Sequence, residues 1–437
     1  MAVSFLGRFS RHLPSGRIAR SIITLASGTA MSQAITVCAM PIVTRLYVPA
    51  QMGVISLFLA FFGFWSPALS LRYEYALLNA RDDAESHIIN RLAVICVTGM
   101  SILAMPALAV MHRFNVLGFG LLPWWSSFAA MPILFGYGQF MVCRAWGLRA
   151  GVVRDITIST ITRSVANVVT RIGLGIIGCG VAGLFAAELA GAWGPAAALY
   201  RSVQNHFASS RPVIRLQSLK EVMRRYRKFP ILETPSTFIN NLSLALPIPM
   251  IAALHGPVAA GWFGLARAMV GIPNSQIGAA VGDVFQVELA RVVVEGDYAR
   301  GRQLFYKLLL RLSIFGLLPL LGIVGFAPWL MSFIFGHAWR EAGWMAAIIA
   351  PWLYAALIVS SLSRLLSVLH AQEHKLFYDV MGALSFVGVF LLAKNMNWTI
   401  TSLVVGLSTA GVFSYLIYLL VLVFVVETRL RPTETIC

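Results

Sequence analysis

Charged residues are scarce in this sequence. Only 12% of its 437 residues are Asp, Glu, Lys or Arg, whereas 58% are hydrophobic. Soluble proteins carry roughly 25% charged residues, so this chain could not cover a water-facing surface. That shortage excludes a soluble enzyme, a disordered chain and a small disulfide scaffold. The composition, with a mean hydropathy of +0.78, therefore predicts an all-α integral membrane protein.

The sequence also lacks paired-cysteine motifs and phosphate-binding loops. The five cysteines are scattered without a CxxC pair, and we interpret them as small apolar packing residues. His370 and His374 have the helical spacing of metal ligands, but no third ligand lies nearby. No GxxxxGK[ST] loop occurs. We therefore predict no metal, no cofactor and no bound nucleotide.

Apolar runs of the length that crosses a bilayer, about 20 residues, recur along the whole chain. The first is longer than the ~7–15 residues of a cleavable signal sequence, which favours an uncleaved first helix. We predict twelve spans, at about 22–44, 53–71, 92–111, 117–140, 157–177, 180–200, 237–254, 259–285, 312–330, 345–363, 376–393 and 399–426.

The basic residues orient these spans. With the N-terminus in the cytoplasm, 27 of the 34 Lys and Arg fall in inner segments and 4 in outer loops, as the positive-inside rule requires. Topology thus explains the net charge of +17 without nucleic acid. The predicted parts are a cytoplasmic basic N-terminus (1–21), an N-terminal lobe (22–200), a cytoplasmic basic linker (201–236), a C-terminal lobe (237–426) and a cytoplasmic tail (427–437).

The chain contains an internal repeat. A shift of 208 residues aligns positions 27–63 with 235–271 and gives eight identities, among them Pro49 with Pro257 and Gly53 with Gly261. Six spans separate the copies, so both copies have the same orientation. This predicts two parallel six-helix lobes, a recurring transporter plan. Pro41 and Pro249 are matched prolines that we expect to kink their helices.

A few polar residues lie inside predicted spans, where an unpaired charge is costly. Arg163, Asn167 and Arg171 recur every four residues and form one stripe. Glu188 lies as far after the turn near 179 as Arg171 lies before it, which predicts an ion pair. The remaining arginines favour an anionic head group such as a diphosphate. Expected head-group contacts are Arg163, Arg171, Arg267, Arg45 and Arg72, and expected cavity-lining residues are Gln33, Asn167 and Asn241.

The basic segment 220–228 has two readings. It either fixes topology or lies on the anionic lipids of the inner leaflet.

Six stretches together resemble a known family. They are Leu25–Ala30, Thr44–Pro49 with Gly53, Leu71–Leu77 with Asp82–Asp83, Phe229–Pro230, Gly261–Ala266 and Phe335–Gly343. Their order and spacing resemble the polysaccharide-transporter family of the multidrug/oligosaccharidyl-lipid/polysaccharide exporter superfamily, which includes the O-antigen flippases.

That resemblance implies a fold and a function. Two six-helix lobes would form a V around a central basic cavity. A lipid-linked oligosaccharide on undecaprenyl diphosphate would cross from the inner to the outer leaflet of the bacterial cytoplasmic membrane by alternating access. The resemblance also implies coupling to a cation gradient, of Na⁺ or H⁺, or to the membrane potential. We further expect a monomer that associates with polysaccharide assembly proteins.

Two alternatives stay open. A cation-coupled drug or small-molecule exporter of the same superfamily would need buried acids, whereas we count three arginines and one glutamate inside the spans. A membrane glycosyltransferase or polymerase that uses the same lipid carrier would need acid–base groups. The predicted outer loops offer only Glu341.

Overall fold

The computed structural model describes residues 17–206, 216–369, 371 and 373–430. Within these ranges the secondary structure is helical and no strand occurs, so the predicted all-α class is confirmed. The first residues of the N-terminal segment, part of the linker, and the tail from 431 onward with Cys437 lie outside the described residues. So do His370 and the side chain of His374.

Fifteen α-helices form in the described residues. In chain order they are α1 Arg17–Leu46, α2 Pro49–Trp65, α3 Tyr73–Leu78, α4 Asp83–Arg113, α5 Ser126–Ala150, α6 Val153–Ile176, α7 Gly180–His206, α8 Leu216–Arg225, α9 Thr234–Ala245, α10 Pro247–Val294, α11 Tyr298–Phe335, α12 Arg340–Leu362, α13 Leu365–Val368, α14 Glu373–Asn395 and α15 Ile400–Arg429. A π-helical turn, Phe229–Glu233, precedes α9.

Nine helical stretches of the described chain are long and apolar enough to cross a membrane. This is a multi-pass membrane protein. One stretch, Phe229–Val294, has 66 residues and would be roughly 100 Å long as a straight helix, about three bilayer cores. Gly256 breaks it with φ 80 and ψ −177, at the boundary between the predicted spans 237–254 and 259–285. The total of twelve spans and the V-shaped cavity stay predictions.

The predicted span 117–140 begins too early. Val116–Leu121 form a 3₁₀ turn, and the long helix α5 starts at Ser126. Leu117 and Gly118 have positive φ values of 50 and 79, which an α-helix excludes. A Cβ on Gly118 would also lie 2.7 Å from the backbone nitrogen of Ala253. The backbone at Gly118 therefore approaches that of Ala253 closely in a non-helical conformation, and α5 begins only after this turn. Hydropathy carries no signal for such an approach.

The chain forms two compact units. Unit 1 contains Met1–Val43, Ser66–Ala107 and Trp125–Thr234; unit 2 contains Thr44–Trp65, Leu108–Trp124 and Pro235–Cys437. Helix α2 thus belongs with the helices that follow residue 235. The lobes at 22–200 and 237–426 stay a prediction.

Within unit 2, the two copies of the P-x-x-x-G motif pack against each other. Pro49 and Pro257 each lie at the start of a straight helical segment, where proline is favoured. A Cβ on Gly53 would overlap the carbonyl oxygen of Pro257, and a Cβ on Gly261 would overlap that of Pro49. The sequence repeat is therefore a reciprocal contact in which each glycine admits the backbone of the other copy.

Other residues of the familiar motifs pack around this contact. Tyr47 and Trp339 are almost completely buried, and the Trp339 indole N–H donates to the Thr44 carbonyl at 3.0 Å. A Cβ on Gly343 would lie 2.6 Å from the Ala327 carbonyl oxygen. These motif residues therefore have a role in packing within unit 2. The large side chains fill closely packed positions, and the glycine leaves room for a neighbouring backbone.

Candidate functional site

The predicted polar stripe of α6 faces α7 in unit 1. Arg171, 8% exposed, donates from Nη2 to Glu188 Oε1 at 2.7 Å. Asn167 donates to the same carboxylate oxygen at 3.1 Å and to the Ala187 carbonyl at 3.2 Å. The turn between α6 and α7 uses Gly178 and Gly180, with φ 81 and 55, which places both partners at equal depth.

This arrangement largely balances the charge of Arg171. The ion pair places opposite charges together inside the helix pair, and the amide hydrogen bond from Asn167 adds a second donor to the Glu188 carboxylate. Of the predicted head-group arginines, Arg171 therefore has a structural partner already. The role of each predicted site residue toward a substrate stays a prediction.

Arg163 has a different environment. Its guanidinium carbon lies 4.5 Å from the ring centre of Tyr137 and 5.4 Å from that of Phe140, both on α5. No carboxylate lies within ion-pair distance among the described residues. Cation–π contact supports the flat face of the guanidinium and leaves the N–H donors at its edge available for an anion.

Arg267 on α10 is the corresponding half-buried arginine of unit 2. Its guanidinium carbon lies 5.8 Å from the Trp352 ring centre, and again the described residues place no carboxylate within ion-pair distance. Among the described residues, each unit thus contains a half-buried arginine that rests on an aromatic side chain without a carboxylate in ion-pair distance.

The other two predicted arginines lie at helix ends. Arg72 has φ 64 in the turn before α3, forms an ion pair with Glu74 at 3.3 Å and lies 5.0 Å above the Tyr75 ring. Arg45 is exposed at the end of α1. These contacts tie the Arg72 side chain to the first turn of α3.

The predicted cavity-lining and hinge residues are spread over the fold. Gln33 is half-buried on α1, and Asn241 donates to the Gly63 carbonyl at 3.1 Å. Pro41 lies within α1. Pro249 lies near the start of α10. The predicted bends stay untested expectations.

Sequence reasoning missed an acidic residue. Asp379, on α14, is 3% exposed and accepts a hydrogen bond from Asn240 Nδ2 at 2.7 Å. It borders a cavity of about 230 Å³ whose wall includes Trp352, Tyr378 and Tyr415. Asp379 falls inside the predicted span 376–393, so the sequence alone could have identified it as a charged residue within the membrane. The count of three arginines and one glutamate inside the spans left it out.

No group of three or more His, Cys, Asp and Glu side chains that could hold a metal ion occurs in the described part of the chain. The described residues thus include two half-buried arginines without an ion pair, Arg163 and Arg267, and three buried carboxylates, Glu74, Glu85 and Asp379.

Comparison with known proteins decides the family. The sequence profile described as polysaccharide biosynthesis protein matches residues 42–343, more than half of the chain and nearly all of the motif stretches quoted above. The chain belongs to this polysaccharide biosynthesis family. No curated protein sequence matches it.

Solved structures agree on the fold of this family member. An inward-facing multidrug resistance MATE family transporter of the MOP superfamily has a TM-score of 0.71 at 13% identity, covering 94% of this chain and 99% of that one. The lipid II flippase MurJ, in an inward closed conformation, has a TM-score of 0.69 at 11% identity, covering 93% and 87%. The eukaryotic MATE transporter AtDTX14 has 0.62 at 15%, covering 94% and 98%.

The profile match confirms the predicted polysaccharide family, and the solved structures show that the chain shares its fold with MATE transporters and a lipid II flippase.

Proposed function

We propose that this protein moves a lipid-linked oligosaccharide, carried on undecaprenyl diphosphate, from the inner to the outer leaflet of the bacterial cytoplasmic membrane, with both termini in the cytoplasm. An O-antigen or another surface-polysaccharide repeat unit is the expected cargo. The polysaccharide biosynthesis family supports the substrate class, and the fold shared with a lipid II flippase supports the type of transport.

The observation that carries this proposal is the pair of half-buried arginines, Arg163 and Arg267, that lack a carboxylate partner in the described structure. An uncompensated charge inside a membrane protein is costly, so a retained one indicates an anionic ligand. The planar guanidinium binds two phosphate oxygens side by side, while the aromatic rings fix its plane. A diphosphate offers oxygens in that geometry.

The test is leaflet transfer in liposomes. Purified protein is reconstituted with a fluorescent lipid-diphosphate oligosaccharide, and a membrane-impermeant quencher reports the outward fraction over time. Arg163→Ala and Arg267→Ala remove the proposed contacts. Arg154→Ala removes an exposed arginine from the same helix as Arg163 and serves as the matched control.

Loss of a charge-assisted hydrogen bond costs about 1.5–3 kcal/mol, or roughly 10- to 100-fold in rate. We expect that loss in both test variants and an unchanged rate in Arg154→Ala. Unchanged transfer in both test variants, at normal protein levels, would overturn the head-group roles. Absence of transfer by the intact protein with several sugar head groups would overturn the flippase function.

Asp379 supports coupling to a cation or proton. Asp379 is almost completely buried in α14 and accepts a hydrogen bond from Asn240, and a carboxylate at such a depth is suited to take up a proton or to hold a cation. We expect the intact protein to respond to a Na⁺ or proton gradient and Asp379→Asn to lose that response while it keeps gradient-independent transfer. An equal gradient response in both proteins would remove Asp379 from the coupling.

The same acid favours a second candidate function, cation-coupled export of a small molecule. This reading predicts no transfer of the lipid-linked probe and a gradient-driven efflux of cationic dyes that Asp379→Asn abolishes. The two assays in the same liposomes separate the functions, because only the flippase depends on Arg163 and Arg267 toward a diphosphate.

A further inference from the structure

The described segment 217–233 presents a one-sided array of cations in unit 1. Apart from Arg225, which pairs with Glu85, its exposed basic side chains are Lys220, Arg224, Arg227 and Lys228, which we call the basic surface. On the opposite side of α8, Val222 is almost completely buried and Leu219 is half-buried. The helix therefore packs on the protein by its apolar side and exposes its charged side.

Two side chains hold this helix in place. Arg225 Nη1 pairs with the buried carboxylate of Glu85, at the start of α4. The Tyr226 hydroxyl lies 3.1 Å from the Asn79 carbonyl and 3.3 Å from Glu85 Oε2, and Glu85 also accepts the backbone N–H of Arg81 at 2.7 Å. Burial, and then the charge of Glu85, raise the pKa of Tyr226. The orientation of the basic surface is thereby fixed.

Exposed apolar side chains lie beside these cations. Met223, Ile231 and Leu232 are 47%, 63% and 62% exposed, and the apolar stretch Phe229–Val294 begins at the same point. The segment therefore lies at a membrane boundary, which the basic-residue count predicts to be the inner one. Two exposed acids, Glu221 and Glu233, belong to the same segment and reduce its net charge without reversing it.

We propose that the basic surface docks on anionic phospholipids of the membrane, with Met223, Ile231 and Leu232 in contact with the acyl boundary. Segments that lie at the level of the lipid head groups typically combine basic side chains with neighbouring exposed apolar side chains. Charge complementarity selects an anionic lipid, at about a fivefold gain in binding per basic residue near the surface. This surface is independent of the proposed cargo, since none of its residues belongs to the arginine sites.

The test measures lipid binding by the intact protein. Full-length protein in a neutral detergent is titrated with phosphatidylglycerol or phosphatidylcholine, and native mass spectrometry counts bound lipids. The test variant Arg224→Gln/Arg227→Gln/Lys228→Gln removes three cations of the basic surface. The control variant Arg144→Gln/Arg154→Gln/Arg201→Gln removes three exposed arginines of the same unit, so both variants lose the same charge.

We expect the test variant to weaken phosphatidylglycerol binding at least tenfold and the control variant to change it less than twofold. Phosphatidylcholine binding should be equal in all three proteins. High salt should remove the preference of the intact protein, because screening shortens the range of the charges. Equal weakening in both triple variants, or no weakening in the test variant, would overturn the proposal.

A second variant separates lipid from soluble phosphate. Ile231→Ser/Leu232→Ser keeps every cation and removes the apolar contact. We expect it to weaken phosphatidylglycerol binding severalfold, and glycerol phosphate at the same concentration should not compete with the lipid. Competition by glycerol phosphate with unchanged lipid binding in this variant would identify a simple phosphate site and contradict docking on a lipid surface.

Discussion

The reciprocal contact between the two repeat copies makes a sharp prediction for Gly53. In Gly53→Ala, the new methyl group would overlap the Pro257 carbonyl oxygen and lie 2.7 Å from the Pro257 carbonyl carbon and 2.9 Å from the Gly261 nitrogen. Ordinary carbon contacts lie near 3.5–4.0 Å. All three obstacles are backbone atoms, so no side-chain rotation relieves them. Helices α2 and α10 would have to separate by roughly 1 Å.

The magnitude follows from two opposing effects. Overpacking a closely packed position costs about 1–3 kcal/mol, and a rigid backbone obstacle favours the upper end. Replacing a helical glycine with alanine stabilises the helix by about 1 kcal/mol. Gly63→Ala, near the other end of α2, has nothing within 4 Å of its added methyl group and isolates the second effect. We therefore expect Gly53→Ala to be about 3 kcal/mol less stable than Gly63→Ala.

Reversible unfolding of the reconstituted protein in mixed micelles measures that difference. Gly261→Ala should behave like Gly53→Ala, because it probes the same contact from the other copy. The double variant should lose less than the sum, since the first separation of the helices already admits the second methyl group. Equal stabilities for Gly53→Ala and Gly63→Ala, or fully additive effects of the two contact variants, would refute the close reciprocal approach.

Three further outcomes are expected. Glu188→Gln leaves Arg171 without its counter-charge and should lower the unfolding free energy by about 3 kcal/mol. Replacing both residues with leucine should recover most of that stability, and no recovery would contradict a purely structural pair. Trp339→Phe loses the hydrogen bond to Thr44 and should cost about 1 kcal/mol in the same unfolding assay, whereas an unchanged stability would show that water replaces the bond. Gly118→Ala should reduce the yield of folded protein on size-exclusion chromatography, because φ 79 is strained for alanine; a normal yield would contradict that strain.

Much of the architecture could be predicted from local composition. A bilayer requires long apolar helices with their backbone groups paired internally, so apolar runs alone indicate helices such as α4 and α15. The ion pair between Arg171 and Glu188 could be predicted from their positions on either side of one glycine turn. In a helical hairpin, residues at equal distances from the turn lie at the same depth.

The tertiary structure decided what depends on distant segments meeting. The repeat was visible as matched prolines and glycines, but only packing showed that Gly53 and Gly261 admit each other's backbone. Likewise, only the surroundings distinguish Arg171, which has a carboxylate partner, from Arg163 and Arg267, which rest on aromatic rings. Three arginines with similar apolar neighbours in sequence thus have different chemistry, because charge compensation depends on side chains that the fold brings together from separate helices.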